Sequence, residues 1–114
     1  MLVNLLTPYS GETYPETLSE IIDNKVIRYV PFEISKDLDD IYTWKYIAVN
    51  PQYYNYKGLV NIFVGLKYDL SDTIAIMNNY MDDPKNETYK KEFKDMQEWR
   101  KKSKQMAKEH FKIS

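Results

Sequence analysis

Apolar residues recur at helical spacing in the last third of the chain and predict a long amphipathic helix over about Glu87–Phe111. Tyr89, Met96, Ser103 and His110 follow one another at intervals of seven residues, which places them on one face of a helix. The opposite positions are rich in lysine and glutamate, which suits water. We therefore predict that this helix docks through a single stripe.

Two shorter patterns at helical spacing precede the long helix. The first extends from Tyr56 to Leu66, and it predicts the most buried helix of the chain. The second begins with Ser71 as its N-cap, and Asn86 is predicted to cap the long helix. The residues expected on the inner face of the second helix are Ile74, Met77, Tyr80 and Met81.

The residues before the helices are typical of strands. Lys25–Ile34 and Ile41–Val49 are rich in β-branched and aromatic residues, and they predict two strands. Pro31 has no N–H to donate, so the first strand is predicted to lie at an edge or to end there. Glu16–Asn24 is expected to form one or two helical turns, with Asp23-Asn24 as a turn before the first strand. Since two strands alone are marginal in water, they need a helix or strands from another subunit.

The first fifteen residues are predicted to be an extended arm, because Pro8, Gly11 and Pro15 disfavour a helix. The arm starts with an apolar patch that should not stay in water. Two alternatives are open for this patch, which either packs on its own domain or inserts into a neighbouring subunit.

These patterns together predict an α+β fold. Residues 1–15 form the extended arm, and residues 16–114 form one small domain. Within this domain, a two-stranded β element at about residues 25–50 precedes a compact three-helix unit at about residues 55–111, which ends in the long amphipathic helix.

Tyrosine dominates the aromatic residues, with eleven tyrosines against four phenylalanines and two tryptophans. A tyrosine ring is apolar and ends in a polar hydroxyl, which suits partner-binding surfaces. The alternative is that an AT-rich coding sequence simply supplies this residue. On the first interpretation, the predicted partner-binding residues are Leu2, Val3, Leu5, Leu6, Tyr9, Tyr29, Tyr42 and Trp44.

Charge and composition exclude several classes of function. A net charge of −1 argues against a protein that binds mainly by neutralising phosphates, and Lys101, Lys102 and Lys104 are the expected wet face of a helix. The chain has no cysteine, which excludes disulfides and thiolate sites. No apolar run approaches the ~20 residues of a membrane span. We therefore expect neither a nucleic-acid partner nor a membrane partner.

No residue pattern indicates catalysis, a metal site or a cofactor. His110 is the single histidine, so no histidine relay can be built. Asp37, Asp39 and Asp40 resemble calcium-loop carboxylates in spacing, but the glycine and the closing glutamate of such a loop are missing, and an acidic turn in water is predicted instead. We predict a protein that is not an enzyme, although a small enzyme is a rival hypothesis.

Two runs in the C-terminal half, KYDLSDTIAIMNNYMDDP and EFKDMQEWRKKSKQMAKE, carry a family resemblance. They resemble small accessory proteins of tailed phages of gut Bacteroidetes, the crAss-like phages among them. The matching positions are Lys67, Tyr68, Ala75, Ile76, Asn78, Asn79, Tyr80, Met96, Gln97, Trp99, Arg100 and Lys104.

This resemblance implies a non-enzymatic virion component, such as a head-decorating, head-fibre or connector-associated protein, that is present in multiple copies. We accordingly expect a homo-oligomer that contacts other virion proteins and is assembled in the host cytoplasm. The alternative is a small phage-encoded inhibitor that binds a host protein.

Overall fold

The structure, a computed structural model, describes residue 3 and residues 5–113 of the 114-residue chain. It confirms the predicted α+β class, since an antiparallel sheet of four strands precedes three helices. The chain divides into two compact units, which are residues 1–54 with the sheet and residues 55–114 with the three helices.

The sheet of the N-terminal unit contains every strand of the described residues, in the spatial order β1-β4-β3-β2 with antiparallel neighbours. The two central strands are the two that the sequence predicts, and each gains a short outer neighbour. The strands are β1 at Tyr9–Gly11, β2 at Leu18–Ile22, β3 at Lys25–Lys36 and β4 at Tyr42–Val49.

The helical turns predicted for Glu16–Asn24 are wrong, because this segment contains strand β2, whereas the predicted turn at Asp23-Asn24 is confirmed. Asp23 and Asn24 have φ angles of 50° and 64°, and they join β2 to β3 as a two-residue hairpin loop. Asparagine and aspartate tolerate this left-handed conformation better than most residues, and such loops match the twist of paired strands. Pairing with β3 thus decides the structure of a segment that is too short to hold a helix by itself.

Strand β3 is central in its first part and lies at an edge in its second part. Strand β2 pairs with β3 only as far as Tyr29, and Pro31 follows two residues later. From there β3 pairs only with β4, which is the environment predicted from the missing N–H of proline. The register shifts between Phe32 and Ser35, where Glu33 has a φ of 51°. A bulge of this kind bends the strand and increases its twist.

Part of the apolar patch of the predicted arm packs on the sheet of its own unit. Val3 is buried with Tyr29 and Tyr46, and Leu5 packs against the same cluster. Of the two alternatives, these residues therefore follow the first, which is packing within the chain.

The C-terminal unit consists of α1 at Tyr56–Gly65, α2 at Leu70–Asp82 and α3 at Glu87–Phe111. A short 3-10 helix, Pro51–Tyr53, ends the N-terminal unit. The bounds of α3 are those predicted from the sequence. Its buried side chains recur at helical spacing along one stripe and are Met96, Trp99, Ser103 and Ala107.

Side-chain caps set where α2 and α3 begin. The Asn86 side chain accepts hydrogen bonds from the backbone N–H groups of Thr88 and Tyr89, at 3.0 and 3.1 Å, as predicted. The cap of α2 is Asp69 rather than Ser71. The Asp69 carboxylate accepts from the Asp72 N–H at 2.7 Å, and the Asp72 carboxylate accepts in return from the Asp69 N–H at 3.4 Å. This reciprocal pair satisfies two backbone donors, which a serine two residues later does not offer.

One buried hydrogen bond fastens α3 to α1. Trp99 Nε1 donates to the backbone carbonyl oxygen of Phe63 at 3.0 Å, and both residues are almost fully buried. The second tryptophan, Trp44 on β4, differs in this respect. Its Nε1 is buried and has no hydrogen-bond partner among the residues that the structure describes.

Because of this difference, replacing each tryptophan by phenylalanine should lower the free energy of unfolding by unequal amounts. Trp99→Phe removes a satisfied donor, whereas Trp44→Phe removes one that is already unsatisfied, so Trp99→Phe should lower the free energy of unfolding by about 1 kcal/mol more. Urea unfolding followed by circular dichroism measures both variants. Equal losses, or a larger loss for Trp44→Phe, would contradict the assignment.

Candidate protein-interaction surface

Seven of the eight predicted partner-binding residues lie in the described part of the chain, and they are divided between the core and the surface of the N-terminal unit. Val3 and Tyr29 are buried, so a partner would reach them only if the surrounding segment moved. Leu5, Tyr9, Tyr42 and Trp44 are half-buried. Leu6 is 92% exposed. Leu2 lies outside the described residues, and a role in partner binding stays a prediction for all eight.

The aromatic residues among them join β1 to β4. Tyr9 lies directly opposite Trp44, with ring centroids 6.3 Å apart, and its ring meets the Tyr46 ring edge-on at 5.0 Å. A Cβ atom on Gly11 would come within 3.3 Å of the Trp44 ring. Because glycine has no Cβ, the ring can pack closely against β1. These rings therefore stabilise the unit that carries them, which a composition rich in tyrosine does not reveal.

Tyr29 is joined to the edge of the sheet by a partly buried hydrogen bond. Its hydroxyl donates to the carboxylate of Glu20 on β2. Burial of the phenol, followed by this hydrogen bond and by the negative charge of Glu20, raises the pKa of Tyr29 from 10.0 to about 12. Tyr29 is thus a structural residue that holds β2 against β3.

The hairpin of β2 and β3 exposes apolar side chains on an open edge. Leu18, Ile22 and Val26 are each more than a third exposed, and Ile21 is 75% exposed. Strand β2 is the last strand of the sheet in the described residues, so its outer backbone groups face no further strand. The strand contains neither lysine nor proline, which commonly protect such edges from pairing with another chain.

Helix α2 exposes a second apolar surface, on the C-terminal unit. None of its thirteen residues is buried. Tyr80 stacks on Phe93 of α3 with ring centroids 4.3 Å apart, but the other three residues predicted on the inner face lie in water to a large extent. We define the α2 stripe as the side chains one and two turns apart along this exposed side, which are Leu70, Ile74, Met77 and Met81.

The prediction of an inner face for α2 was therefore only partly correct. Spacing places Ile74, Met77 and Met81 on one side of the helix, and it cannot tell whether another element covers that side. The exposed fractions of Leu70 and Met81 are 75% and 74%, which shows that nothing in the described chain covers the two ends of the stripe. This exposure is the feature of the candidate surface that the sequence pattern does not reveal.

The described residues contain no candidate metal site. Residues 5–113 and residue 3 bring no three histidine, aspartate or glutamate side chains close enough to hold a metal ion.

Burial lowers the pKa of His110, which favours its neutral form. A surface depression on α3 is lined by Glu98, Lys101, Lys102 and Gln105.

The ring of Trp99 is already engaged by cations of its own chain. Lys67 Nζ lies 4.2 Å from its centroid and Lys102 Nζ lies 5.8 Å from it. Because the indole is also buried and hydrogen-bonded, it does not offer a free face on which a nucleic-acid base could stack.

Comparisons with protein-family models, with curated proteins and with solved structures returned no significant match to this chain. Among the helices of the described residues, none combines the length and apolar character that crossing a membrane requires.

The Tyr29 phenol predicts a loss of stability at alkaline pH. Since the folded state holds this proton more tightly than the unfolded chain, the contribution is complete below pH 10 and is lost as the pH rises through about 12. Tyr29→Phe should therefore flatten the pH dependence of unfolding between pH 10 and 12. Tyr14→Phe, which removes the hydroxyl of an exposed tyrosine, is the matched control. Identical slopes in wild type and Tyr29→Phe would refute the assignment.

Proposed function

We propose that this chain is a non-enzymatic structural protein of a phage particle, a head-decorating, head-fibre or connector-associated component that acts through protein–protein contacts. The observation that carries the proposal is the apolar surface left open on the β2–β3 hairpin and along the α2 stripe. Large apolar side chains clustered in water are typical of surfaces that a partner covers.

The hairpin offers backbone groups as well as apolar side chains. An extended segment of another subunit can add to the open edge of β2 and form main-chain hydrogen bonds, while Ile21 and its exposed neighbours supply the apolar contact. This mode of binding is open both to a second copy of the chain and to another virion protein, because either can supply the extended segment that pairs with β2. The partner surface proposed here therefore lies on the hairpin more than on the buried residues Val3 and Tyr29.

The assignment to a virion rests on the resemblance of the C-terminal half to phage accessory proteins. That resemblance also supplies the proposed location, which is the particle after assembly in the host cytoplasm. Open apolar surface agrees with this setting, since the subunits of a particle cover one another's surfaces permanently.

A second candidate function is an inhibitor that binds a host protein, and one turn favours it. Leu38 is fully exposed at the tip of the β3–β4 connection. The Asp37 carboxylate holds this turn, because it accepts from the N–H groups of Asp39 and Ile41 at 2.9 and 3.0 Å. A single apolar side chain on a preorganised acidic turn fits a pocket with a basic rim in another protein.

Sedimentation of phage particles tests the proposed function. A tagged copy of the chain is supplied in cells infected by a phage that encodes it, and purified particles are then analysed by quantitative mass spectrometry. We expect the chain in the particles at a fixed copy number. Recovery of the chain only in the soluble fraction, bound to a host protein, would overturn the proposal and favour the inhibitor.

A variant links this result to the hairpin. Ile21→Lys places a charge on the open edge and should lower incorporation about tenfold or more, while the fold tolerates it because the side chain is exposed. Glu12→Lys, at an exposed position of the same unit, is the matched control and should be incorporated normally. Normal incorporation of Ile21→Lys would show that the hairpin is not the contact surface.

A further inference from the structure

The charged residues of α2 and of its two caps all have one sign. Residues 69–83 contain four aspartates and no lysine, arginine or histidine. Asp69 and Asp72 lie at the N-terminal end of the helix, and Asp82 and Asp83 lie at the other end. The exposed apolar stripe is therefore flanked by carboxylates at both ends, about 20 Å apart at a rise of ~1.5 Å per residue.

The fold explains the first pair of aspartates but not the second. Asp69 and Asp72 form the capping box and lie at the end of the helix dipole that favours negative charge. Asp82 and Asp83 lie at the end that disfavours it. Within residues 5–113, neither of their side chains makes an ion pair or a hydrogen bond, so nothing there compensates for this placement. Local rules are commonly broken in this way where a residue serves a partner.

The nearest basic residues in the sequence do not neutralise these carboxylates through ion pairs. Lys67 is directed to the ring of Trp99. Lys85 forms no ion pair within the described part of the chain. The lysines of α3 line a helix whose apolar stripe is already buried in its own unit, so a second copy of α3 offers no free apolar face.

The sign of the charge selects among the possible occupants of the stripe. A second copy of α2 would place aspartates against aspartates at both ends, whether the two helices were parallel or antiparallel. A membrane surface with anionic lipids would repel the same groups. A partner helix with an apolar stripe and basic ends satisfies both features, because its lysines or arginines meet the two acidic ends while its stripe covers the apolar side chains.

We infer that the α2 stripe is a docking site for an amphipathic helix of another protein that carries lysine or arginine about 13 residues apart, at both ends of its apolar face. This inference deepens the proposed function, on which it rests for the identity of the assembly, and it names the kind of partner. Because α2 is held by its capping box and by the Tyr80–Phe93 contact, the site is formed before the partner binds.

Binding of a designed peptide tests the inference. The probe is a fluorescein-labelled helical 18-residue peptide with a leucine stripe and lysines at both ends, and the control peptide has glutamates in place of the lysines. Fluorescence anisotropy with the full chain should show that the lysine peptide binds at least tenfold more tightly. The difference should shrink as salt is raised, because salt screens exposed charges.

Paired variants locate the site. Asp82→Asn/Asp83→Asn should weaken binding of the lysine peptide about three- to tenfold, and Ile74→Gln/Met77→Gln should abolish it. Asp39→Asn/Asp40→Asn makes the same change of charge in the other unit and should have no effect. Equal binding of the two peptides, equal effects of the two aspartate pairs, no binding of either peptide, or a dimer formed through α2 in analytical ultracentrifugation would each overturn the inference.

The virion role and the docking site can each be refuted without refuting the other. If the chain is present in purified particles but does not discriminate between the peptides, the docking site is refuted and the virion role stands. If the peptide binds in the expected charge-dependent way but the chain is absent from particles, the docking site stands and the virion role is refuted.

Discussion

A small folding unit cannot cover all of its own apolar surface, and this constraint governs the structure of the chain. The units of 54 and 60 residues are each of a size at which only about 60% of the unfolded surface is buried. The N-terminal unit uses its first residues to cover one cluster on the sheet, with Val3 packed between Tyr29 and Tyr46. The hairpin and α2 still expose apolar side chains, because their units have no further element that could cover them.

Polar contacts help to hold the exposed elements in place. Strand β2 is fixed by its two-residue loop and by the bond from Tyr29 to Glu20, and α2 is fixed by its capping box. Each of these devices positions backbone without covering the apolar side chains next to it. Both surfaces are therefore presented in a formed state, which lowers the entropy that a partner must overcome on binding.

Periodicity predicts those elements whose own residues carry enough information. The long helix was predicted with its observed bounds, because its apolar stripe and the Asn86 cap agree over seven turns. The strands β3 and β4 were predicted because β-branched and aromatic residues dominate them. Strand β2 was not, since five residues without strict alternation are ambiguous until the Asp23-Asn24 loop pairs them with β3. The segment forms a strand because it pairs with β3, and a local sequence pattern contains no information on that pairing.

The candidate surface was harder to predict than the fold. Hydrophobic residues at the start of the chain and among the strands were the natural choice for partner binding, yet Val3 and Tyr29 complete a core. The α2 residues were assigned to an inner face, although most of that face is exposed. The sequence pattern of an apolar stripe is the same whether the stripe packs against its own chain or against another protein. Only the arrangement of neighbouring elements distinguishes the two cases.

Oxidation of methionine tests most directly whether a partner covers the exposed apolar surface. Met81 is 74% exposed and Met77 is also open to water, whereas Met96 is fully buried, so the chain contains its own reference. Hydrogen peroxide treatment and mass spectrometry are applied to the isolated chain and to the chain in purified particles. We expect fast oxidation of Met77 and Met81 in the isolated chain and protection of both in the particle, with Met96 slow in each. Equal oxidation of Met77 and Met81 in the two samples would show that no partner covers the exposed apolar surface.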